Sequence, residues 1–242
     1  MEAAVYRQPF THILYDADAI ERPGRQWFDP EYWAEQSELE TFTEGRGGCW
    51  KVDMPNGAAV IKHYRRGGLV AKLSHDKYVF TGWQRSRSFV EWRVLAELSK
   101  RGLPVPIPLA AICVRHGRFY CAALVTRYIT GARTLSDCLK HNPEQTELLA
   151  AKTSQLLALF NEGNVLHADL NLNNIVVDSN DKLWLLDFDR GRFVTMTKKR
   201  QQRSLKRLSR SLNTLVDTEK IDAELAKVFL ETLHMNHNSG IG

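Results

Sequence analysis

His167-Ala168-Asp169-Leu170-Asn171-Leu172-Asn173-Asn174-Ile175-Val176-Val177, followed after a short gap by Leu186-Asp187-Phe188-Asp189, is the stretch on which the reading of this chain turns. Asn174 follows Asp169 by five residues, which suits a tight loop whose two ends face one pocket. Ile175, Val176 and Val177 make a short β-branched strand. Asp178, Ser179, Asn180 and Asp181 are turn formers, and Leu183, Trp184, Leu185 and Leu186 make a return strand. The predicted hairpin carries Asp187 back beside Asn174. A plain hairpin with Asp and Asn caps would use the same residue types. The apolar strands between the two polar halves make the combination far more specific than either half.

Two carboxylates and an amide converging in this order meet the needs of phosphoryl transfer. One carboxylate faces an attacking hydroxyl, while an amide oxygen and a second carboxylate hold Mg²⁺ on nucleotide phosphates.

Upstream, Gly163-Asn164 ends a helix predicted over about 144–162, with Leu148, Leu149, Leu156, Leu157, Leu159 and Phe160 as core candidates. A short helix is predicted over Ser136–Lys140. Leu109–Val114 and Phe119–Tyr128 read as a hairpin turning at His116-Gly117. Ser86–Arg101 reads as a helix, with Phe89, Trp92, Leu95, Ala96 and Leu98 on its apolar face and Glu91 within it. Thr41–Ile61 resembles a glycine-interrupted hairpin containing Gly45, Gly47 and Gly48, followed by the apolar strand Ala58-Ala59-Val60-Ile61-Lys62. Glycines let backbone amides approach phosphates, although a flexible turn has the same composition. Likewise, a strand-end lysine is often a solvated charge, and Glu91 could be an exposed helix glutamate. Asp29-Pro30-Glu31 marks the start of a helix expected to run through Glu35 and Leu39, in a first 40 residues that otherwise read as an extension with aromatic side chains able to dock on the body.

The 242 residues can bury a substantial core, and 43% hydrophobic with 25% charged residues argues against general disorder. Cys49, Cys113, Cys121 and Cys138 form no Cys-x-x-Cys pair, so reduced, buried or half-buried thiols are expected in preference to zinc or disulfides. No basic segment followed by an apolar run opens the chain, and no apolar run approaches a bilayer span, so a cytoplasmic protein is expected. The net charge of +5 is uneven. Residues 1–40 hold nine acids and three bases, or −6, which leaves +11 on the remainder. Residues 62–87 hold seven Lys or Arg and one acid, and residues 198–210 hold seven and none. Such concentration points to a polyanionic partner. Leu205, Leu208, Leu212 and Leu215 give the second segment an apolar helical face. Its basic face is either ordinary solvated surface or an electrostatic contact. No recognised nucleic-acid module is present, and no nucleic-acid partner is expected.

Together these segments, across roughly residues 41–215, resemble the lipopolysaccharide kinase family of the protein-kinase-like fold. The most specific parts are His167–Asn174 and Leu186-Asp187-Phe188-Asp189-Arg190-Gly191-Arg192. The resemblance implies an α+β, bilobal protein-kinase-like fold. A 1–40 extension would precede a β-rich N-lobe over about 41–128 and a reduced, mostly helical C-lobe over about 129–242. Val125–Ile129 would be the hinge. It implies ATP and Mg²⁺ as cofactors, Asp169 as catalytic base, and Asn174 and Asp187 as metal ligands. Lys62, paired with Glu91, would contact the α/β-phosphates, and Gly45, Gly47 and Gly48 would cover them. His167 would be structural. The implied acceptor is the 4-OH of 3-deoxy-D-manno-octulosonic acid (Kdo) on a Kdo–lipid A precursor. The expected location is the cytoplasmic face of the bacterial inner membrane, held peripherally by its anionic surface.

Ala168 stands where many protein kinases carry an arginine, and Asp189 replaces the glycine of Asp-Phe-Gly. Only 55 residues (242 − 187) follow Asp187, with no Ala-Pro-Glu segment. These departures favour a small or lipid-linked acceptor. Another small-molecule or protein kinase of the same fold, or a catalytically silent scaffold, remains as the alternative.

Overall fold

The computed structural model of the chain describes residues 1–36, 40–42, 48–64 and 78–239. Gly45, Gly47 and residues 65–77 of the first basic segment lie outside them. The fold is α+β, with antiparallel sheets, and it divides into two compact units. One comprises Met1–Lys100 with Pro106–Tyr128, the other Arg101–Val105 with Ile129–Gly242.

The first unit is built on one antiparallel sheet. Its strands are β1 (Ala3–Gln8), β2 (Thr11–Asp16), β3 (Glu40–Phe42), β4 (Cys49–Met54), β5 (Gly57–His63), β6 (Tyr78–Val79), β7 (Pro108–His116) and β8 (Phe119–Arg127). They lie in the order β1-β2-β7-β8-β5-β4-β3, with β6 also on β8. Two helices belong to the unit, α1 (Pro30–Ala34) and α2 (Arg87–Lys100). The central hairpin is rich in alanine because both of its faces are covered. Ala110, Ile112, Ala123 and Val125 join a core with Ile13, Phe28, Trp33, Val52 and Ile61. Ala111, Cys113 and Leu124, alternating with them, are buried as well. Helix α2 packs on β7. It buries Phe89, Trp92, Leu95 and Leu98, a stripe at three- and four-residue spacing, and Ser88 Oγ donates to the Ile112 carbonyl at 2.8 Å.

The amino-terminal segment contributes directly to this sheet. Its hairpin pairs Ala3 with Asp16 through Gln8 with Thr11, and β2 pairs with β7 from Thr11↔Val114 to Tyr15↔Ala110. Sequence reading found only α1 here, whose start is fixed by Pro30 and by the Asp29 carboxylate accepting the Glu31 N–H at 3.0 Å; it ends at Ala34 with Glu35 as its cap, short of the expected run, and Leu39 lies outside the described residues. The connection from the glycine run to Lys62 also differs from the expected one. All of β4 intervenes, and the chain reverses through Pro55-Asn56 into Gly57, whose φ of 103° lies in the region glycine tolerates.

The second unit carries helices α3 (Leu135–His141), α4 (Thr146–Glu162), α5 (Lys198–Asp217) and α6 (Ala223–Ser239). Its strands are β9 (Arg133–Thr134), β10 (Val165–Leu166), β11 (Ile175–Val177), β12 (Leu183–Leu185) and β13 (Arg192–Phe193). They form a three-stranded sheet ordered β12-β11-β9 and a separate β10-β13 pair. Helix α4 packs along α6 and buries Leu149, Thr153, Leu156, Leu157 and Phe160. The expectation that Leu148 and Leu159 join this core is wrong. They are 53% and 47% exposed, because the leucines of α4 wrap past the one stripe that faces protein. Helix α5 buries Leu205, Leu208 and Leu212, as their spacing predicts. Among the described residues, no helix is long and apolar enough to cross a membrane. All four cysteines are free thiols, and burial pushes the Cys113 thiol up to about 12.

Candidate active site

In the second unit the polar loop is held from beneath. Leu170, Leu172, Ile175 and Phe188 are buried, while Asp169 and Asp187 are exposed and Asn174 half-buried. This alternation of leucine with polar residues anchors the backbone and leaves the acids facing out. Asn171 caps the short 3-10 turn Leu172–Asn174, its Oδ1 accepting the N–H groups of Asn173 and Asn174 at 3.0 and 3.1 Å. The Asp169 carbonyl accepts two side-chain amides, Asn171 Nδ2 at 3.0 Å and Asn174 Nδ2 at 2.8 Å. The second bond orients the Asn174 amide and leaves its Oδ1 for a different partner. The Leu172 N–H donates to Ser211 Oγ on α5 at 3.2 Å.

The hairpin closes as expected. Ile175, Val176 and Val177 pair with Leu185, Trp184 and Leu183. Its turn is ordered by Asp178, whose carboxylate accepts the indole N–H of Trp184 at 2.8 Å and the backbone N–H groups of Asn180 and Lys182 at 2.8 and 3.0 Å. Burial works against that charge, yet these donors hold the carboxyl below its ordinary range. One residue past β12, the Leu186 N–H donates to the Asn174 carbonyl at 2.8 Å, so Asp187 follows directly beside Asn174. Asp187 has φ 62°, left-handed backbone that few side chains adopt. Such strain is worth about 1 kcal/mol and persists only where the surroundings enforce it.

Those surroundings are aromatic. Phe188 is fully buried, 5.8 Å from the Phe160 ring and 4.9 Å edge-on from His167. His167 is 5% exposed and bonds through Nε2 to the Leu186 carbonyl at 2.8 Å. Burial holds its imidazole below the ordinary value, so the neutral ring donates through Nε2–H. The histidine therefore pins the two halves of the loop together. Gly191 completes the turn, since a Cβ there would lie 2.6 Å from Phe188 Cδ1.

In the first unit, Lys62 and Glu91 form a pair. Lys62 Nζ donates to both carboxylate oxygens of Glu91 at 3.0 Å. Glu91 is 1% exposed, and Tyr64 Oη donates to its Oε2. The Lys62 ammonium also lies 5.0 Å from the Tyr64 ring centroid. Tyr64, one residue past β5, was missed as a site residue in sequence, although its i+2 spacing from Lys62 is the one that brings side chains of extended chain to the same side. Of the three glycines, Gly48 is described. Its φ is 124°, and its carbonyl accepts the His63 N–H at 2.7 Å, one residue beyond Lys62. The expected triad of the second unit thus sits on one loop and hairpin, and the expected lysine–glutamate pair forms within the first.

A buried acid that fixes a lysine, and a loop that presents an aspartate, an asparagine and a second aspartate, are the parts that phosphotransferases of the kinase type use. A profile of the Lipopolysaccharide kinase (Kdo/WaaP) family matches residues 30–229, and the chain belongs to that family. It is therefore a lipopolysaccharide kinase. It is 40% identical over 206 residues to the 3-deoxy-D-manno-octulosonic acid kinase of Stenotrophomonas maltophilia (strain R551-3), covering 83% of this chain and 79% of the relative. The protein of the same name from S. maltophilia (strain K279a) is 38% identical over 229 residues, covering 90% and 88%. That of Xanthomonas euvesicatoria pv. vesicatoria (strain 85-10) is 39% identical over 219 residues, covering 89% and 87%.

Proposed function

We propose that this kinase transfers the γ-phosphoryl group of ATP to the 4-OH of Kdo on a Kdo–lipid A precursor, at the cytoplasmic face of the inner membrane. The acceptor follows the name of its relatives. The observation that carries the chemistry is the Asp169 loop, in which one carbonyl ties down two amides and leaves the carboxylate exposed.

The donor set fits Mg²⁺. The Asn174 amide oxygen and the Asp187 carboxylate are hard oxygen donors, and the neighbouring His167 imidazole is buried and turned to the Leu186 carbonyl. Bound Mg-ATP supplies the phosphoryl group and a cation that neutralises its developing charge. Asn174 Oδ1 and Asp187 would hold that cation. Asp169 orients the acceptor hydroxyl and takes its proton as the oxygen–phosphorus bond forms. Because the proton moves late in a loose transition state, an ordinary carboxylate suffices. Lys62 contacts the α/β-phosphates while Glu91 and Tyr64 fix its ammonium, and the Gly48 end of the glycine run covers them. Lys199, Lys206 and Arg210, exposed on α5, suit an anionic bilayer surface, at about 1 kcal/mol each.

The test is incubation with labelled ATP, Mg²⁺ and a Kdo–lipid A precursor, beside Asp169→Ala. Label should pass to the sugar, and the variant should lose transfer while still binding nucleotide. Transfer only to peptides or soluble metabolites would move the acceptor elsewhere. A fully active Asp169→Ala would overturn the role of the loop.

A further inference from the structure

Within the second unit, a concavity of about 280 Å³ is lined by Leu166, Arg192, Val194, Arg200, Arg203 and Arg207. Four of these six residues are arginines, and none is acidic. Their meeting is a product of the fold. Arg200, Arg203 and Arg207 lie at i, i+3 and i+7 on α5, a single helix face. Arg192 joins them from β13, where it pairs with Leu166 of β10, and the Val194 N–H donates to the Asn164 carbonyl at 2.8 Å. Arg200 is partly occupied, since its Nη1 donates to the Thr195 carbonyl. Among the described residues, Arg192, Arg203 and Arg207 make no ion pair or side-chain hydrogen bond.

Guanidiniums gathered in a hollow without counter-charge repel one another, and a concave wall focuses their field. A merely solvated basic face would place them apart on convex surface. The planar fork of arginine matches the oxygens of a phosphate, two bonds at a time. The volume lies near the lower end for ligand pockets and suits a phosphorylated sugar unit, not a lone ion. A flat bilayer surface cannot enter such a hollow, whereas a single headgroup can. Leu166 stands three residues before Asp169, so their Cα atoms are no more than about 11 Å apart.

We propose that Arg192, Arg203 and Arg207 form a phosphate-monoester subsite that receives a phosphate of the acceptor glycolipid and so orients its sugar toward Asp169. This rests on the glycolipid acceptor named above. The arginines are positioning residues, and phosphoryl transfer itself is left to the Asp169 loop.

The test uses the full chain and Arg203→Gln/Arg207→Gln, substitutions that keep helix propensity. Titration with glucosamine 1-phosphate, followed by NMR, should show binding that the double variant weakens about ten-fold or more. Glucosamine and glucuronic acid should not compete. Equal binding by variant and wild type would overturn the subsite, and glucuronic acid binding as well as the phosphosugar would reassign it to a carboxylate. Loss of binding to phosphatidylglycerol vesicles with unchanged phosphosugar binding would make the patch a membrane contact and overturn it too. In turnover, the double variant should raise the acceptor KM about 10- to 100-fold, with the ATP KM unchanged. On an acceptor stripped of its lipid A phosphates, wild type and variant should behave alike, and a persisting gap would count against the proposal. If the wild type phosphorylates no Kdo acceptor, the functional reading falls, while the phosphosugar titration still decides the subsite.

Discussion

Glu91→Gln offers a direct probe of the first unit's contribution. The substitution keeps size and one oxygen acceptor but removes the charge. Lys62 Nζ now bonds both carboxylate oxygens at 3.0 Å, and one of these also receives the Tyr64 hydroxyl. The glutamine can serve one of those donors through its oxygen, while its NH₂ faces the ammonium with nothing to accept. A charge-assisted bond is worth about 1.5–3 kcal/mol. The Lys62 side chain is 23% exposed, so water recovers part of its solvation. The stability cost should therefore fall below the 3–5 kcal/mol typical of breaking a fully buried pair, at about 1–2 kcal/mol by urea denaturation. The catalytic cost should be larger in consequence, because the lysine loses its fixed place. We expect kcat/KM for ATP to fall about 10- to 100-fold in a coupled ADP-release assay. Lys62→Met should lose at least as much, and the double variant should be no worse than Lys62→Met alone, since the glutamate acts only through the lysine. Additive losses, or wild-type turnover in Glu91→Gln, would refute this account of the pair.

Three further outcomes follow from geometry. Gly191→Ala would put a methyl group 2.6 Å from Phe188 Cδ1, so it should destabilise the protein by about 1–3 kcal/mol and depress turnover as Asp187 shifts; thermal melts and an ADP-release assay read both effects. Asp178→Asn should cost about 1–2 kcal/mol by removing the anion that gathers Trp184, Asn180 and Lys182. Because that carboxyl is depressed in the folded state, its contribution is present above the ordinary carboxylate value of about 3.9 and fades as pH falls below it, so the variant's stability curve should be flatter there. Cys113, buried and raised to about 12, should resist iodoacetamide at pH 8 under conditions where the half-buried Cys49 and Cys121 react; mass spectrometry of the alkylated peptides checks this.

The second unit's loop was legible because its signals are local. Asp169, Asn174 and Asp187 lie within 19 residues (187 − 169 + 1), and strands of Ile, Val and Leu connect them. The Lys62–Glu91 pair was legible only with the resemblance in hand, since 29 residues separate its members. The β1–β2 hairpin escaped for a physical reason. β1 is an edge strand with no fully buried residue, so it shows no clear inward face, and β2 buries the adjacent residues Ile13 and Leu14, which blurs the two-residue period. Excess negative charge then dominated the reading of that segment. Arg192 was invisible as a member of the basic hollow because only a two-residue strand pairing brings it to α5. Leu148 and Leu159 misled because helix periodicity selects a direction only when apolar residues are confined to one side.

The ladder between β4 and β5 has a consequence for how this chain can tolerate insertions. Cys49 stands opposite Lys62, and the preceding Gly48 carbonyl is bonded to the His63 N–H. The end of the glycine run and Lys62 are thus on adjacent rungs, although 14 positions (62 − 48) separate Gly48 from Lys62 along the chain. Inserting one residue within β5 would turn Lys62 to the opposite side of the sheet, away from Glu91 and Tyr64. Lengthening the Pro55-Asn56 reversal leaves every rung in place. A scan of single-residue insertions from the reversal to Lys62 should therefore show one permissive point at Pro55-Asn56, followed by positions within β5 where the protein folds its sheet yet has lost its lysine.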